Sequence, residues 1–541
     1  MSSECGIMSS ERETVSSEPK SCQLLNLPSE LLVKIIGNLH PDDIKAIGKA
    51  CRLIHAITAL KEVWLSATRR ICSEHNIFEP SFELPAMNIR QLDRIASAPR
   101  RFRSLLAAGV PYRHLRPVTT RDTELLEPRG DPPVSPNDGF RTVCLVPGGR
   151  FVVAQSTEHL HIWDLGSWIH AAPKKIPSRR RQLYWARLTD LLGDLPQDML
   201  RRTIWLNDCH PAEDPTSLIF TVRHQFYSDV EGEYERTLFV LRAKFTEAAG
   251  SGDDGASTWT VDVRVVSRLQ IPPDRLKCPG PDDIVVRKVD DSIAVVAAKS
   301  EILIWKYNDA SIAHLPSYTP GKQSGFARIL AVYVTSDYVV CAHERVILTY
   351  RVPEFRPVDS AESWSQHVIA PCRVVQLDKG NAAWMSPRPW HLAQPKRVIS
   401  RTLDHFSENE GIDRYHIVQN AVHSEPPEVR FVERGYVSAK LDFENDGMFK
   451  EVCSSLGEYN WVPRLDPVDG DGAVCTYRPY ANVLVMIAYG GGRGVGSATY
   501  ALRHSDLRAW SMCPASGRLC YSRSVDPYTL TCRDFLDRPG A

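Results

Sequence analysis

Val146-Pro147-Gly148-Gly149-Arg150-Phe151-Val152-Val153, followed by His159-Leu160-His161-Ile162-Trp163-Asp164-Leu165, is the stretch that decides the architecture. A Pro-Gly-Gly turn releases a run of aromatic and β-branched residues. After a short polar interval a second apolar run ends in Trp-Asp. Runs of this length, bounded by Gly and Pro, read as paired strands. The unit returns three times. Asp290-Asp291-Ser292-Ile293-Ala294-Val295-Val296 leads to Glu301-Ile302-Leu303-Ile304-Trp305-Lys306-Tyr307. Thr335-Ser336-Asp337-Tyr338-Val339-Val340-Cys341 leads to Arg345-Val346-Ile347-Leu348-Thr349-Tyr350. Ser516-Gly517-Arg518-Leu519-Cys520-Tyr521 leads to Tyr528-Thr529-Leu530-Thr531-Cys532-Arg533-Asp534-Phe535. From about residue 138 onward almost no helical periodicity survives, which indicates a sandwich, a barrel or a propeller.

The repeat chooses among the three. It resembles the second half of a WD-repeat blade, and Trp163-Asp164 matches that family's dipeptide. The family's Gly-His signature is missing and one Trp-Asp pair survives, so the repeats are degenerate. At about 40–45 residues per blade the region has room for seven or more, and for fewer once insertions such as Gly250–Ser257 are counted. The resemblance implies that Trp163 and Trp305 stack between blades. It also implies a closed ring, in which Ser516–Asp534 pairs near the start of the β region, because an open propeller leaves sheet edges uncovered.

The N-terminal part has a different period. Leu31, Leu32, Ile35, Ile36 and Leu39 follow Pro28 on one helical face. Pro41-Asp42-Asp43 gives a second helix start, with carboxylates facing the positive helix end, and Ile44, Ile47, Cys51 and Ile54 continue at helical spacing. A third helix carries Ile57, Leu60, Trp64, Ala67 and Ile71. Leu27-Pro28-Ser29-Glu30-Leu31-Leu32, Ile35-Ile36, Leu39, Pro41-Asp42-Asp43-Ile44, Ala50-Cys51-Arg52 and Trp64 together resemble an F-box over roughly residues 24–66. The likeness departs from the family pattern at Leu53-Ile54-His55. The resemblance implies docking on a Skp-family adaptor of a cullin-RING ubiquitin ligase. The contact residues it implies are Leu27, Pro28, Leu31, Leu32, Ile35, Ile36, Leu39, Ile44 and Trp64.

The fold class expected is therefore α+β multidomain: a small all-α F-box-like unit followed by a large all-β propeller-like domain. The boundaries read as a disordered tail over 1–21, the F-box-like unit over 22–66, a helical and Pro-rich linker over 67–137, and the propeller over 138–541. Pro111, Pro117, Pro132, Pro133 and Pro136 mark the change of pattern. A chain starting near residue 112 should on this reading fold as a propeller.

Composition narrows the function. The 541 residues carry 65 Lys+Arg and 65 Asp+Glu, so the strongly basic character of a dedicated nucleic-acid binder is missing. No apolar run approaches the ~20 residues that span a bilayer, and the Ser/Glu-rich start has no apolar signal region. The expectation is an intracellular protein, cytoplasmic and/or nuclear. Its 14 cysteines include no Cys-x-x-Cys, and Cys72-x-x-His75 has no partner pair at zinc spacing. Most cysteines therefore read as reduced, buried small hydrophobes.

An enzyme needs a constellation, and none is found. There is no Gly-x-Ser-x-Gly elbow, no His-Glu-x-x-His helix and no phosphate loop. Gly490–Gly496 misses the dinucleotide register. Asp442–Gly447 opens like a calcium loop but has Cys453 at the twelfth position, and Asp466–Gly472 is a second acidic turn. Lys174-Lys175 with Arg179-Arg180-Arg181 is the densest basic run, a solvated loop or a nuclear localisation signal. No catalytic, cofactor-binding or metal residue is nominated, and no cofactor is expected. The reading is a non-enzymatic substrate-recognition subunit, with adaptor and cullin at one end and a protein substrate at the other. A non-ligase propeller scaffold, or a propeller enzyme, are the rivals.

Overall fold

In the computed structural model the apolar spacing of residues 28–74 resolves into four short helices: α1 (Ser29–Gly37), α2 (Pro41–Ile47), α3 (Arg52–Thr58) and α4 (Lys61–Glu74). The structure describes residues 23–75, 77–107, 113–114, 116–124, 139–166, 168–169, 181–193, 202–228, 233–248, 258–272, 284–289, 292–298, 301–316, 329–343, 345–359, 369–377, 380–385, 399–407, 411–419, 425–436, 461–466, 471–478, 483–489, 496–501, 507–513, 515–523 and 526–536. The chain divides into two compact units, residues 1–67 and 68–541.

In the first unit Pro28 is the N-cap of α1, and its carbonyl accepts from the backbone N–H of Leu31 and Leu32 at 3.0 and 3.1 Å. Proline suits this place because its own missing N–H is not needed there. Pro41 opens α2, where Asp42 and Asp43 lie in the first turn. The periodicity from Ile44 to Ile54 suggests one continuous helix, yet the chain makes two. Gly48 caps α2 and Cys51 is extended, with φ −158° and ψ 166°, before α3 begins. A Cβ on Gly48 would lie 2.8 Å from Thr58 Oγ1, so glycine is what lets the end of α2 approach α3 this closely.

The second unit holds seven sheets among the described residues. The first contains β3 (Thr142–Leu145), β4 (Phe151–Gln155), β5 (His159–Asp164) and β6 (Arg181–Arg187), with α6 (Leu188–Leu192) after it. The second contains β7 (Arg202–Pro211), β8 (Ser217–Ser228), β9 (Glu233–Ala248) and β10 (Thr258–Ile271). The third contains β11 (Ile284–Val289), β12 (Ile293–Ala298), β13 (Glu301–Lys306) and β14 (Ser311–Pro316). The fourth contains β15 (Ile329–Val334), β16 (Tyr338–His343), β17 (Val346–Arg351) and β19 (Arg373–Gln376). Between β17 and β19, β18 (Arg356–Pro357) crosses back to pair with β14 and ties the third sheet to the fourth. The fifth contains β20 (Gly380–Met385), β21 (Ile399–Ser407), β22 (Gly411–Gln419) and β23 (Glu428–Tyr436). The sixth contains β24 (Trp461–Asp466), β25 (Asp471–Arg478), β26 (Val483–Tyr489) and β27 (Gly496–Ala501), to which β1 (Arg113–His114) adds in parallel. The seventh contains β28 (Leu507–Cys513), β29 (Arg518–Arg523) and β30 (Asp526–Asp534).

Alternation along the strands shows why the sheets stack. On β12, Ala294 and Val296 join the apolar cluster shared with the second sheet, whereas Val295 and Ala297 join the one shared with the fourth. On β16, Val339 and Cys341 face back to the third sheet, and Val340 and Ala342 face on to the fifth. A period of two on a strand buried on both faces sends successive side chains into two different cores. Trp305, at 1% exposure, lies in the cluster between the second and third sheets. Trp305→Ala should therefore destabilise the second unit by about 3–5 kcal/mol, typical of a buried Trp, as read by denaturant unfolding.

The last sheet returns to the first. β2 (Thr119–Glu124) pairs antiparallel with β30, from Thr119 opposite Asp534 to Glu124 opposite Thr529. Ser511 on β28 accepts from the Leu145 N–H on β3 at 2.9 Å, and Arg518 donates to the carbonyls of Gly149 and Gly166 at 2.6 and 3.0 Å. Consecutive four-stranded sheets, shared inter-sheet cores and a closing strand from the N-terminal side make this a β-propeller.

Residues 68–107, expected as linker, belong to the second unit. Phe78 is fully buried among side chains of the first two sheets, with its ring 4.9 Å from Phe245 and 5.9 Å from Phe151, both edge-on. The Phe78 N–H and the Ser81 hydroxyl both donate to the Pro147 carbonyl, and α5 (Ile89–Ala107) lies against the sixth sheet. The proline-broken sequence of 76–88 concealed this, because Phe78 and Phe82 stand among turn residues with no sustained period to read. Residues 1–21, Asp442–Gly447, Lys174-Lys175 with Arg179-Arg180, and most of Gly490–Gly496 and Asp466–Gly472 lie outside the described residues.

Candidate functional site

The helix α1 carries more apolar surface than one packing face can use. Leu32 and Ile36 are each 1% exposed. One residue back on the helix, Leu31 and Ile35 are 47% and 43% exposed. Four apolar positions at i, i+1, i+4 and i+5 make a stripe wide enough for an inner and an outer row. The outer row is uncovered.

The expected contact residues separate on this basis. Leu31 and Ile35 lie outside, Pro28 is exposed, and Leu27 and Leu39 are partly buried. Leu32, Ile36, Ile44 and Trp64 are buried. The Trp64 indole N–H donates to the Thr58 carbonyl at 2.8 Å, a partner that fixes the ring where it is. These four cannot touch a docked partner in this conformation; they hold the helices that carry the outer row. The reason is geometric: a sequence motif names both rows of a helix and does not say which one packs.

The exposed apolar set is wider than the motif. Leu25 precedes α1, Leu53 is on α3 and Leu60 follows it, all exposed, and α1 packs on α3. Leu60, read from its spacing as part of the third helix, lies between α3 and α4, and Leu25 and Leu53 left no periodic signal. Glu30, Lys34, Asp42, Asp43, Lys45 and Lys49 are exposed on the same unit and supply charges of both signs. Exposed aliphatic side chains together with charges of both signs are a composition that a protein interface can use.

The other candidates carry less. Burial, with the Glu79 charge adding to it, pushes the Cys72 thiol up to about 12, so Cys72 stays protonated and is a poor metal ligand. Among the described residues no group of three or more His, Cys, Asp or Glu could hold a metal ion. No described helix is long and apolar enough to cross a membrane. On the propeller, Val374 of β19 and Phe431 of β23 are exposed, and Arg373 beside the first donates to the Pro427 carbonyl at 2.9 Å.

His161 on β5 is buried beside Phe140, and its Nδ1 lies 3.3 Å from Gln182 Nε2. Burial, then the neighbouring His159 charge, lowers its pKa to about 3. The folded value lies below the ~6.5 of an unfolded histidine, so the neutral ring stabilises the fold above that pH and the benefit is lost as pH falls toward 3. His161→Gln should weaken the fall in melting temperature between pH 7 and pH 5 relative to the native chain.

No family model matches the chain. The chain is 29% identical over 101 residues to F-box only protein 31 of Rattus norvegicus, and equally to F-box only protein 31 of Mus musculus. The matched stretch spans 19% of this chain and 19% of each relative's length. Among solved structures, the Cps50 (Swd1) β-propeller domain of Myceliophteria thermophila aligns over 74% of this chain and 97% of its own, at TM-score 0.36 and 8% identity. The WD40 domain of SCAP from fission yeast aligns over 73% and 82%, at TM-score 0.33 and 10% identity. The propeller assignment rests on the strand order, the shared cores and the closing strand.

Proposed function

We propose that this protein is the substrate-recognition subunit of an SCF-type cullin-RING ubiquitin ligase. The helical unit docks a Skp-family adaptor, and the propeller binds the protein to be ubiquitylated. The observation that carries the reading is the uncovered outer row of α1, Leu31 and Ile35, preceded by Pro28 in a motif that resembles the F-box. An amphipathic helix with a bare apolar edge fits a helix-in-groove interface. Propeller loops on rigid sheets suit recognition rather than catalysis, so the subunit itself does no chemistry. Such a subunit works in the cytoplasm, the nucleus or both.

The two rows of α1 give the test its sign. Leu31→Ala with Ile35→Ala should leave stability nearly unchanged. Binding to a purified Skp-family adaptor should fall on the order of a hundredfold, since burying a large aliphatic side chain contributes about 1.5–3 kcal/mol. Leu32→Ala should do the reverse, costing about 2–5 kcal/mol of stability. Titration calorimetry and thermal melts separate the two. Affinity purification of the intact chain followed by mass spectrometry should recover adaptor and cullin in stoichiometric amounts. Recovery of other partners without either of them would point to a scaffold and overturn the ligase reading.

A further inference from the structure

Cys520 on β29 and Cys532 on β30 are buried, stand directly opposite one another in the strand register, and bring their sulfurs to 3.0 Å. Their place in the hydrogen-bond ladder matters. The Phe535 N–H donates to the Gly517 carbonyl at 2.9 Å, which makes residues 517 and 535 a hydrogen-bonded pair. Pairs alternate along an antiparallel ladder, so 519 and 533 are hydrogen-bonded, whereas 518 with 534 and 520 with 532 are not. At non-hydrogen-bonded pairs the Cα atoms come to about 4.5 Å. That lies inside the roughly 4.4–6.8 Å range a disulfide spans.

The pair also has a definite place in the fold. Arg518 reaches the Gly149 and Gly166 carbonyls of the first sheet, and residues 518 and 520 share one face of β29. Cys520 therefore faces the seam where the ring closes. Cys532 is on β30, the strand on which β2 completes the last sheet. Burial holds the Cys520 thiol well above its ordinary range, so exchange at this site is slow.

We propose that Cys520 and Cys532 form a reversible dithiol–disulfide site that ties β29 to β30 at the closing seam, oxidised by a low-molecular-weight disulfide. One cysteine, as thiolate, attacks a sulfur of the external disulfide and expels one small thiol, leaving a mixed disulfide on the protein. The other cysteine attacks the protein-side sulfur, forms the intramolecular S–S bond and expels the second small thiol. Two electrons pass from the cysteine pair to the external disulfide, and the two protons leave on the small thiols. The bond staples the hairpin whose outer strand receives β2, so the oxidised ring should open less readily.

The sequence makes the test direct. Tryptic cleavage after Arg518, Arg523 and Arg533 puts the cysteines on separate peptides, residues 519–523 and 524–533. The intact folded chain is equilibrated for hours in mixtures of oxidised and reduced glutathione, alkylated, digested and mapped by mass spectrometry. The expected result is one joined peptide pair in oxidising mixtures, restored to two alkylated peptides by reduced glutathione. Cys532→Ser should instead trap glutathione on Cys520, the first half of the exchange. The oxidised native chain should melt a few degrees higher than the reduced one, a difference that the serine variant lacks. If both peptides stay fully alkylated in every mixture, or join only after denaturation, the proposal falls. The native peptide map decides this even where the serine variant fails to fold.

Discussion

Arg518→Ala will destabilise the propeller by about 3–5 kcal/mol, the usual cost of removing one partner from a buried ion pair. Arg518 is fully buried and pairs with Asp534 through Nε at 2.6 Å and Nη2 at 3.2 Å. Its Nη1 serves the Gly149 and Gly166 carbonyls of the first sheet, so the substitution also strips two acceptors of their donor. Asp534 meanwhile accepts from Thr119 and Arg121 on β2 at 2.9 and 3.3 Å. One carboxylate thus joins the first strand of the last sheet's closure to its own hairpin, and one guanidinium joins that sheet to the first. Asp534→Ala should cost at least as much, because it leaves the buried guanidinium without its anion. The double variant should cost less than the sum of the singles, a coupling that a denaturant-based double-mutant cycle reads. Additive singles would mean that the pair does not act as a unit.

The seam and the first sheet respond to acid in different ranges. Burial alone would raise the Asp534 carboxyl, but the Arg518 charge and hydrogen bonds, with Arg121 and Thr119, outweigh it and hold it below its ordinary value. A depressed carboxyl stabilises the fold above the unfolded value near ~3.9 and loses that benefit only as pH falls through its lower folded value. His161 loses its benefit from about pH 6.5 downward. Mild acid should therefore loosen the first sheet while the Arg518–Asp534 lock still holds.

The same contrast explains what could be read from the sequence. The strands and the ring were legible because Phe151-Val152-Val153 and Leu303-Ile304-Trp305 carry a period of two between turn residues, and the repeat recurs. The Arg518–Asp534 lock was half visible: Gly149-Arg150 with Asp164 repeats it, and Arg150 Nε bonds Asp164 Oδ1 and Oδ2 at 3.1 Å. A period says nothing about partners, however, so neither pair stands out among 130 charged side chains counted as 65 of each sign. On the helical unit the motif marked α1 as an amphipathic helix, but it could not divide Leu31 and Ile35 from Leu32 and Ile36. That division depends on where α3 packs, which only tertiary structure fixes.

A chain beginning at residue 112 will not hold a stable propeller, whereas one beginning at residue 68 will. The pattern change near residues 111–136 invites the opposite expectation, since strand-like sequence starts only after it. Yet the segment before it supplies core that the sheets do not have. Phe78→Ala alone should cost about 3–5 kcal/mol, because the ring fills space between Phe151 and Phe245 that the surrounding strands cannot close. Truncation also removes Glu83 and the Pro80 carbonyl from the buried Arg150, 3.3 and 3.4 Å away, leaving Asp164 to hold it. The Phe78 and Ser81 donors to Pro147 go as well, and α5 no longer covers the sixth sheet. Domains are stable by only about 5–15 kcal/mol, so these losses together consume most or all of the margin. Thermal melts of the two truncated chains beside Phe78→Ala give the outcome. If the chain from residue 112 melts within a degree or two of the chain from residue 68, residues 68–111 are a linker after all and the burial of Phe78 contributes nothing to the fold.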